Sequence, residues 1–137
     1  MSSSNEVVLS ADDQGATAFQ PVECLADDSA LHECVSLMDA NRSDWYVRHR
    51  DYFLRVEEKN STDNIWLFKG DSSYIVHAHT FYPGHYALES LSYRRHYISW
   101  QADGRLRITW LDHIANLHDA SFRVVDMSCT YFRFVCL

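Results

Sequence analysis

Polar and apolar residues alternate along this chain in short runs, and a period of two predicts β-strands rather than helices. The runs fall at residues 6–10, 16–22, 34–38, 46–50, 53–57, 72–77, 86–90, 97–101, 105–110, 121–126 and 130–136, eleven in all. Helical spacing occurs only at 27–37. There Leu31, Cys34 and Leu37 share a face after a cap at Asp28, so a single short helical turn competes with the strand at 34–38. Two turns are legible. Asp103-Gly104 between two runs predicts a two-residue type I′ hairpin, and Tyr82-Pro83-Gly84-His85 predicts a Pro-Gly turn.

The strands repeat. Segment 45–71 is echoed about 50 residues later by 97–119. In the first copy Tyr46-Val47-Arg48-His49-Arg50-Asp51 leads into Phe53-Leu54-Arg55-Val56, and the copy closes on Gly70-Asp71-Ser72-Ser73-Tyr74. The second runs Tyr97-Ile98-Ser99-Trp100-Gln101, then Leu106-Arg107-Ile108-Thr109-Trp110, then Asp119-Ala120-Ser121-Phe122. A unit that recurs in this way buries its apolar face against its copies. Eleven strands at this period predict an all-β, β-trefoil fold of three four-stranded units, the first lacking its first strand. An unpaired edge left by that gap calls for cover by the N-terminal segment or by a second copy of the chain, a homodimer through the open unit.

Composition narrows the functional classes. A length of 137 residues suits one domain, read as 6–137 after a disordered lead at 1–5. A net charge of −7, with acids spread along the chain, argues against a nucleic-acid partner. No apolar run approaches the ~20 residues of a membrane span, so no membrane partner is expected. Met-Ser-Ser-Ser-Asn has neither a basic nor an apolar signal-peptide region, which favours a cytoplasmic location unless a leader was removed. Cys24, Cys34, Cys129 and Cys136 allow two bridges, yet the same count is ordinary for free thiols.

These residues resemble the arabinose-binding C-terminal module of arabinofuranosidase B, carbohydrate-binding module family 42. The second unit carries the resemblance in Tyr46-Val47-Arg48-His49-Arg50-Asp51 and Asp71-Ser72-Ser73-Tyr74, and the third in Leu88-Glu89-Ser90-Leu91-Ser92-Tyr93 and Asp119-Ala120-Ser121-Phe122. The resemblance implies a β-trefoil with a shallow furanose pocket in each unit, built on a His of the first strand and an Asp before the third. It marks His49, Asp71 and Asp119, with the aromatic residues Tyr46 and Trp100, as ligand-binding candidates. A carboxylate accepts two sugar hydroxyls, an imidazole makes a third bond and a ring covers the sugar's C–H face. One pocket is complete, since Trp100 stands where the third unit should have His and Ala16 where the first should have Asp.

Each candidate has a plainer role available. Asp71 and Asp119 can cap turns through backbone N–H groups, and His49 can be a core imidazole. Arg48 and Arg50 fall on the opposite pleat face from His49, which assigns them to solvent or to Asp51 and Glu57. Most Trp and Phe are expected in packing, and Trp45, Trp100 and Tyr93 would form a platform if they emerged together. His77 and His79 share a strand face near His85, but three or four convergent ligands are needed for zinc, so no metal and no cofactor is expected. Nothing in the chain reads as a nucleophile elbow, a phosphate loop or paired catalytic carboxylates. Two functions follow: a non-catalytic module for arabinose-containing polysaccharide, or a worn sugar-binding scaffold reused to bind a protein partner.

Overall fold

The computed structural model describes residues 19–26, 33–61 and 64–122. Expected strands 6–10 and 130–136, the lead at 1–5, most of 121–126, residues 27–32 of the helical alternative, Ala16, Cys129 and Cys136 lie outside them. The eight described strands are β1 (Phe19–Glu23), β2 (Cys34–Asp39), β3 (Trp45–Arg50), β4 (Phe53–Glu58), β5 (Tyr74–Ala78), β6 (Tyr86–Ser90), β7 (His96–Trp100) and β8 (Leu106–Trp110). Each lies within two or three residues of a predicted run. Residues 34–37 are strand, so the helical turn does not extend over them.

The expected β-trefoil is not what these residues form. The sheet order β1-β2-β3-β4-β8-β7-β6-β5, with β2 also paired to β5, closes seven antiparallel strands into a barrel and leaves β1 outside it. Closure rests on short contacts between distant segments: Met38 to Tyr46, Phe53 to Arg107, Glu89 to Tyr97, and Cys34 and Val35 to Ile75 and Tyr74. A sequence repeat states what each copy does locally; it does not state which edges meet, and that is where the trefoil expectation failed. Strand β2 gives one edge to β1 along its length, from Phe19–Asp39 to Glu23–Val35, and shares the other between β3 and β5. A Cys24–Cys34 disulfide ties the end of β1 to the start of β2, so these two thiols are not free.

Every barrel strand feeds the core. Leu37, Val47, Leu54, Val56, Tyr74, Leu88, Ile98, Leu106 and Ile108 come from β2 to β8, joined by Phe19 and Phe122. These are the inward positions of the period-two pattern, and closing the ring lets side chains from opposite walls fill it.

The repeat is real in three dimensions. Hairpin β3–β4 is followed by helix α1 (Ile65–Asp71) and β5; hairpin β7–β8 is followed by 3-10 turns at Leu111–His113 and Leu117–Ala120 and by Phe122 bridged to Tyr86. The copies share backbone details. The Lys59 N–H donates to Asp44 O at 2.8 Å, as Leu111 does to Arg95, and Asp44 and Arg95 both have positive φ. Ser73 Oγ donates to Lys69 O at 2.7 Å, as Ser121 Oγ does to Leu117 O at 2.8 Å. The alignment pairs His49 with Trp100 and Asp71 with Asp119.

Helix α1 was not anticipated, because seven residues carry too little periodicity to read. It starts at Asn64, whose side chain accepts from the Leu67 N–H at 3.1 Å. Asn64→Ala is expected to lower stability by about 1 kcal/mol, read as a lower urea midpoint with unchanged slope; an unchanged midpoint would show that this cap carries no weight.

Turn chemistry divides as well. His85 N–H donates to Tyr82 O across Pro83-Gly84, and Gly84 has φ 77°, the type II turn that Pro-Gly predicts. Asp103-Gly104 does not make a two-residue turn. Gln101 and Arg105 flank three residues, and only Gly104 among them has positive φ, 87°, the arrangement of a three-residue loop. The two-residue turn with both φ positive is Asp51-Tyr52, at 52° and 70°.

Candidate functional site

At one end of the barrel, α1 lies over the outer face of β3. Phe68 of α1 meets Tyr46 edge-on at 6.3 Å and sits under the Arg48 guanidinium at 5.1 Å, while Val47 points into the core. Strand alternation therefore holds: Tyr46 and Arg48 face the helix, Val47 and His49 the barrel. What alternation does not convey is that both faces are covered. Arg48 is 5% exposed and His49 3%.

Asp71, the last residue of α1, is placed where it reaches both faces. Its Oδ2 accepts from Arg48 Nη2 at 2.9 Å, its Oδ1 accepts from Ser92 Oγ at 3.0 Å, and His49 Nε2 lies 3.6 Å from the same Oδ1. The Tyr74 hydroxyl donates to the Asp71 carbonyl at 3.3 Å and steadies the residue from below. These carboxylate oxygens go to side chains, a different use from the turn cap that sequence reasoning allowed. Arg48 also reaches Glu57 at 3.6 Å, and Arg50 pairs with Glu57 at 3.1 Å, so the expected Glu57 pairing exists but does not exclude Arg48 from the site.

His49 closes the network. Its Nε2 is 3.0 Å from Ser90 Oγ and 3.2 Å from Ser92 Oγ. Because Ser92 gives its proton to Asp71, it offers His49 a lone pair, which favours the tautomer carrying its proton on Nε2. Burial drives the His49 pKa down to about 4; Asp71 opposes that shift, and Arg48 and His96 reinforce it. The imidazole is thus neutral at pH 7 and works as a hydrogen-bonding group, not a cation.

Arg48, His49, Glu57 and Asp71 line an open cleft of about 560 Å³ whose wall continues through Tyr52, Ser61, Asn64, Leu67 and Tyr93. Tyr93 stacks its edge on His49 at 5.0 Å and is 42% exposed. Carboxylate, guanidinium, amide and hydroxyl groups thus converge beside two partly exposed rings, a lining suited to a solute with several hydroxyls and an apolar ring face.

Of the five candidate residues, His49 and Asp71 line this cleft and the other three do not. Tyr46 is buried behind β3 against Phe68. Trp100 packs on the barrel core. Asp119 sits half-buried on the Leu117–Ala120 turn, where burial raises its pKa. Sequence reasoning missed Arg48, Ser90, Ser92 and Tyr52 as parts of the site. Ser90 and Ser92 belong to the Leu88–Tyr93 motif, and their spacing of two, from the last residue of β6 onward, is the signal that points to them.

Trp45 and Trp100 both pack on the core, as expected of most Trp, so they form no surface platform with Tyr93. His77 instead bonds Glu89 at 2.9 Å, His79 accepts from the Gly84 N–H at 2.8 Å, and His85 contacts Pro83 O. Among the described residues no three His, Cys, Asp or Glu side chains gather as a cation would require.

A sequence model of the alpha-L-arabinofuranosidase B (ABFB) domain matches residues 2–124. Two similar solved structures are a GH54 α-L-arabinofuranosidase soaked with a cyclic sulfate inhibitor and a point mutant of a GH54 α-L-arabinofuranosidase soaked with 4-nitrophenyl α-L-arabinofuranoside. The first is 20% identical, with a TM-score of 0.53 over 65% of this chain and 17% of its own. The second is also 20% identical, with a TM-score of 0.61 over 77% of this chain and 21% of its own. At that identity the likeness is one of fold, and this chain spans about a fifth of their length. Among curated proteins nothing matches it.

Proposed function

Since the chain belongs to the alpha-L-arabinofuranosidase B (ABFB) domain family, we propose that it is a non-catalytic carbohydrate-binding module and that the His49–Asp71 cleft takes an arabinofuranosyl group of a polysaccharide. One observation carries this reading. His49 and Asp71, 22 residues apart, meet at 3.6 Å in an open cleft beside the exposed Tyr93 ring. Asp71 keeps further lone pairs for sugar hydroxyls, and the neutral imidazole lies in the same wall. Glu57 and Asp71 are both tied to the Arg48 guanidinium, which argues against these two carboxylates serving as an acid–base pair across a glycosidic bond. In this reading any hydrolase activity lies in another domain. The Cys24–Cys34 bridge supports an oxidising compartment over the cytoplasm.

Calorimetric titration with arabinose tests the proposal. Saturable binding at about millimolar sugar is expected, weakened at least about fivefold in Asp71→Asn, which keeps the side-chain volume, and in the surface variant Tyr93→Ala, which leaves the core untouched. Silence at that concentration in the wild-type chain would remove the reading. A second reading, protein interaction, is favoured by Trp66 and Leu67, which stand 70% and 53% exposed side by side on α1. It would gain from a silent titration.

A further inference from the structure

A second cleft adjoins the first. It holds about 440 Å³ and is bordered by Tyr52, His96, Arg107, Trp110 and His113, and Tyr52 also borders the first cleft. Aromatic rings run from one to the other without a gap. His49 to Tyr93 is 5.0 Å, Tyr93 to Tyr52 is 5.6 Å, Tyr52 to His96 is 5.9 Å and His96 to Trp110 is 5.4 Å. At the centre of this row Tyr52 remains 43% exposed.

Tyr52 occupies its place against the preference of the backbone. Its φ of 70° follows the 52° of Asp51 in the β3–β4 turn, and the second position of such a turn is the one that glycine fills without strain. Turn geometry alone does not call for an aromatic residue there. The Ile108 N–H donates to the Tyr52 carbonyl at 2.8 Å, which pins the turn to β8 and holds the ring up between the clefts. A strained backbone that presents an exposed ring points to a use for the ring.

We propose that the two clefts form one track for consecutive sugar units of an arabinose-containing oligosaccharide, with Tyr52 as the ridge between them. The inference rests on the carbohydrate reading of the first cleft and extends it from a single sugar group to a chain. Tyr52 and Trp110 supply faces for sugar C–H surfaces, and Arg107, His96 and His113 supply hydrogen bonds to hydroxyls in the second cleft. Tyr93 and the His49–Asp71 pair serve the first. Cleft volumes of this order suit one to a few sugar units each.

Titration with arabinose and with linear arabino-oligosaccharides of increasing length, up to about six units, tests this. The longest chain should bind at least about tenfold more tightly than the monosaccharide, because a second cleft adds contacts to a ligand already held. Tyr52→Gly and Trp110→Ala should each bring that ratio down to about twofold or less. Tyr52→Gly loses the ring's contacts with Tyr93 and His96 but relieves the positive φ, so it should melt within a few degrees of wild type and its lost length dependence could not be blamed on unfolding. Arabinose binding with no gain from chain length, or a ratio that survives both variants, overturns the track alone. No binding of arabinose at all removes the first-cleft reading and the track together.

Discussion

Replacing Asp71 with alanine is expected to lower the free energy of unfolding by about 3–4 kcal/mol, the lower part of the range for breaking a buried ion pair. The side chains of Arg48 and Asp71 are 6% and 7% exposed and meet at 2.9 Å. Truncating the acid leaves a guanidinium out of water with Glu57 at 3.6 Å as its nearest remaining carboxylate, and this partial compensation keeps the effect from being larger. The cost comes from the orphaned charge rather than from the pair itself, and a second variant separates the two. Arg48→Met combined with Asp71→Leu removes both charges at similar volume and should recover most of the loss. Urea denaturation of the wild type and both variants at pH 7 measures it. A single variant within about 1 kcal/mol of wild type, or a double variant no better than the single, would show that the barrel end is not held by this charge network.

Acidification should cost nearly as much through one histidine. In the unfolded chain His49 titrates near the ordinary value of about 6.5, whereas in the folded protein burial holds it down to about 4. Between those values the unfolded state binds a proton that the folded state refuses, so stability falls as pH drops from about 6.5 to about 4 and levels off below. At about 1.4 kcal/mol per unit of difference, the loss is about 3 kcal/mol. Carboxylates titrate in the same window, so the comparison is with His49→Gln, in which they remain and the imidazole does not. Stability of the two chains is measured at pH 7 and pH 4. The wild type should lose about 2–3 kcal/mol more than the variant over that interval, and equal losses would mean that the ring is not excluded from water as the structure has it.

The parts of this fold that could be read in advance are those set by nearest neighbours. Strand β6 lies at 86–90, the very run predicted, although four of its five residues are buried and both of its faces are covered. The Pro83-Gly84 turn is equally local. Asp103-Gly104 misled by one residue, since the same dipeptide serves a two-residue turn and the end of a three-residue loop. Asp51-Tyr52 had no signal at all, as tyrosine is a poor choice for positive φ. In the candidate site, the motif resemblance singled out His49 and Asp71, and their meeting in one cleft is a finding of the structure. Arg48 was placed on the correct face of β3 and its contact with Glu57 was anticipated, but its burial against Asp71 was not, because nothing in strand alternation says that a seven-residue helix will cover that face.

Alternation and the near-50-residue echo determine that this chain is all-β, that it is built from recurring hairpins, and, to within two or three residues, where their strands fall. Only the folded barrel decides that seven strands close rather than a trefoil's three units, that Trp100 and Tyr46 serve packing, and that Asp71 draws Arg48 and His49 together from opposite faces of one strand. The physical reason is the range of the interactions. Backbone and pleat preferences act within a few residues, whereas closure and buried charge pairing join segments tens of residues apart through contacts one or two residues long, and the energies of such contacts exist only once the ring has formed.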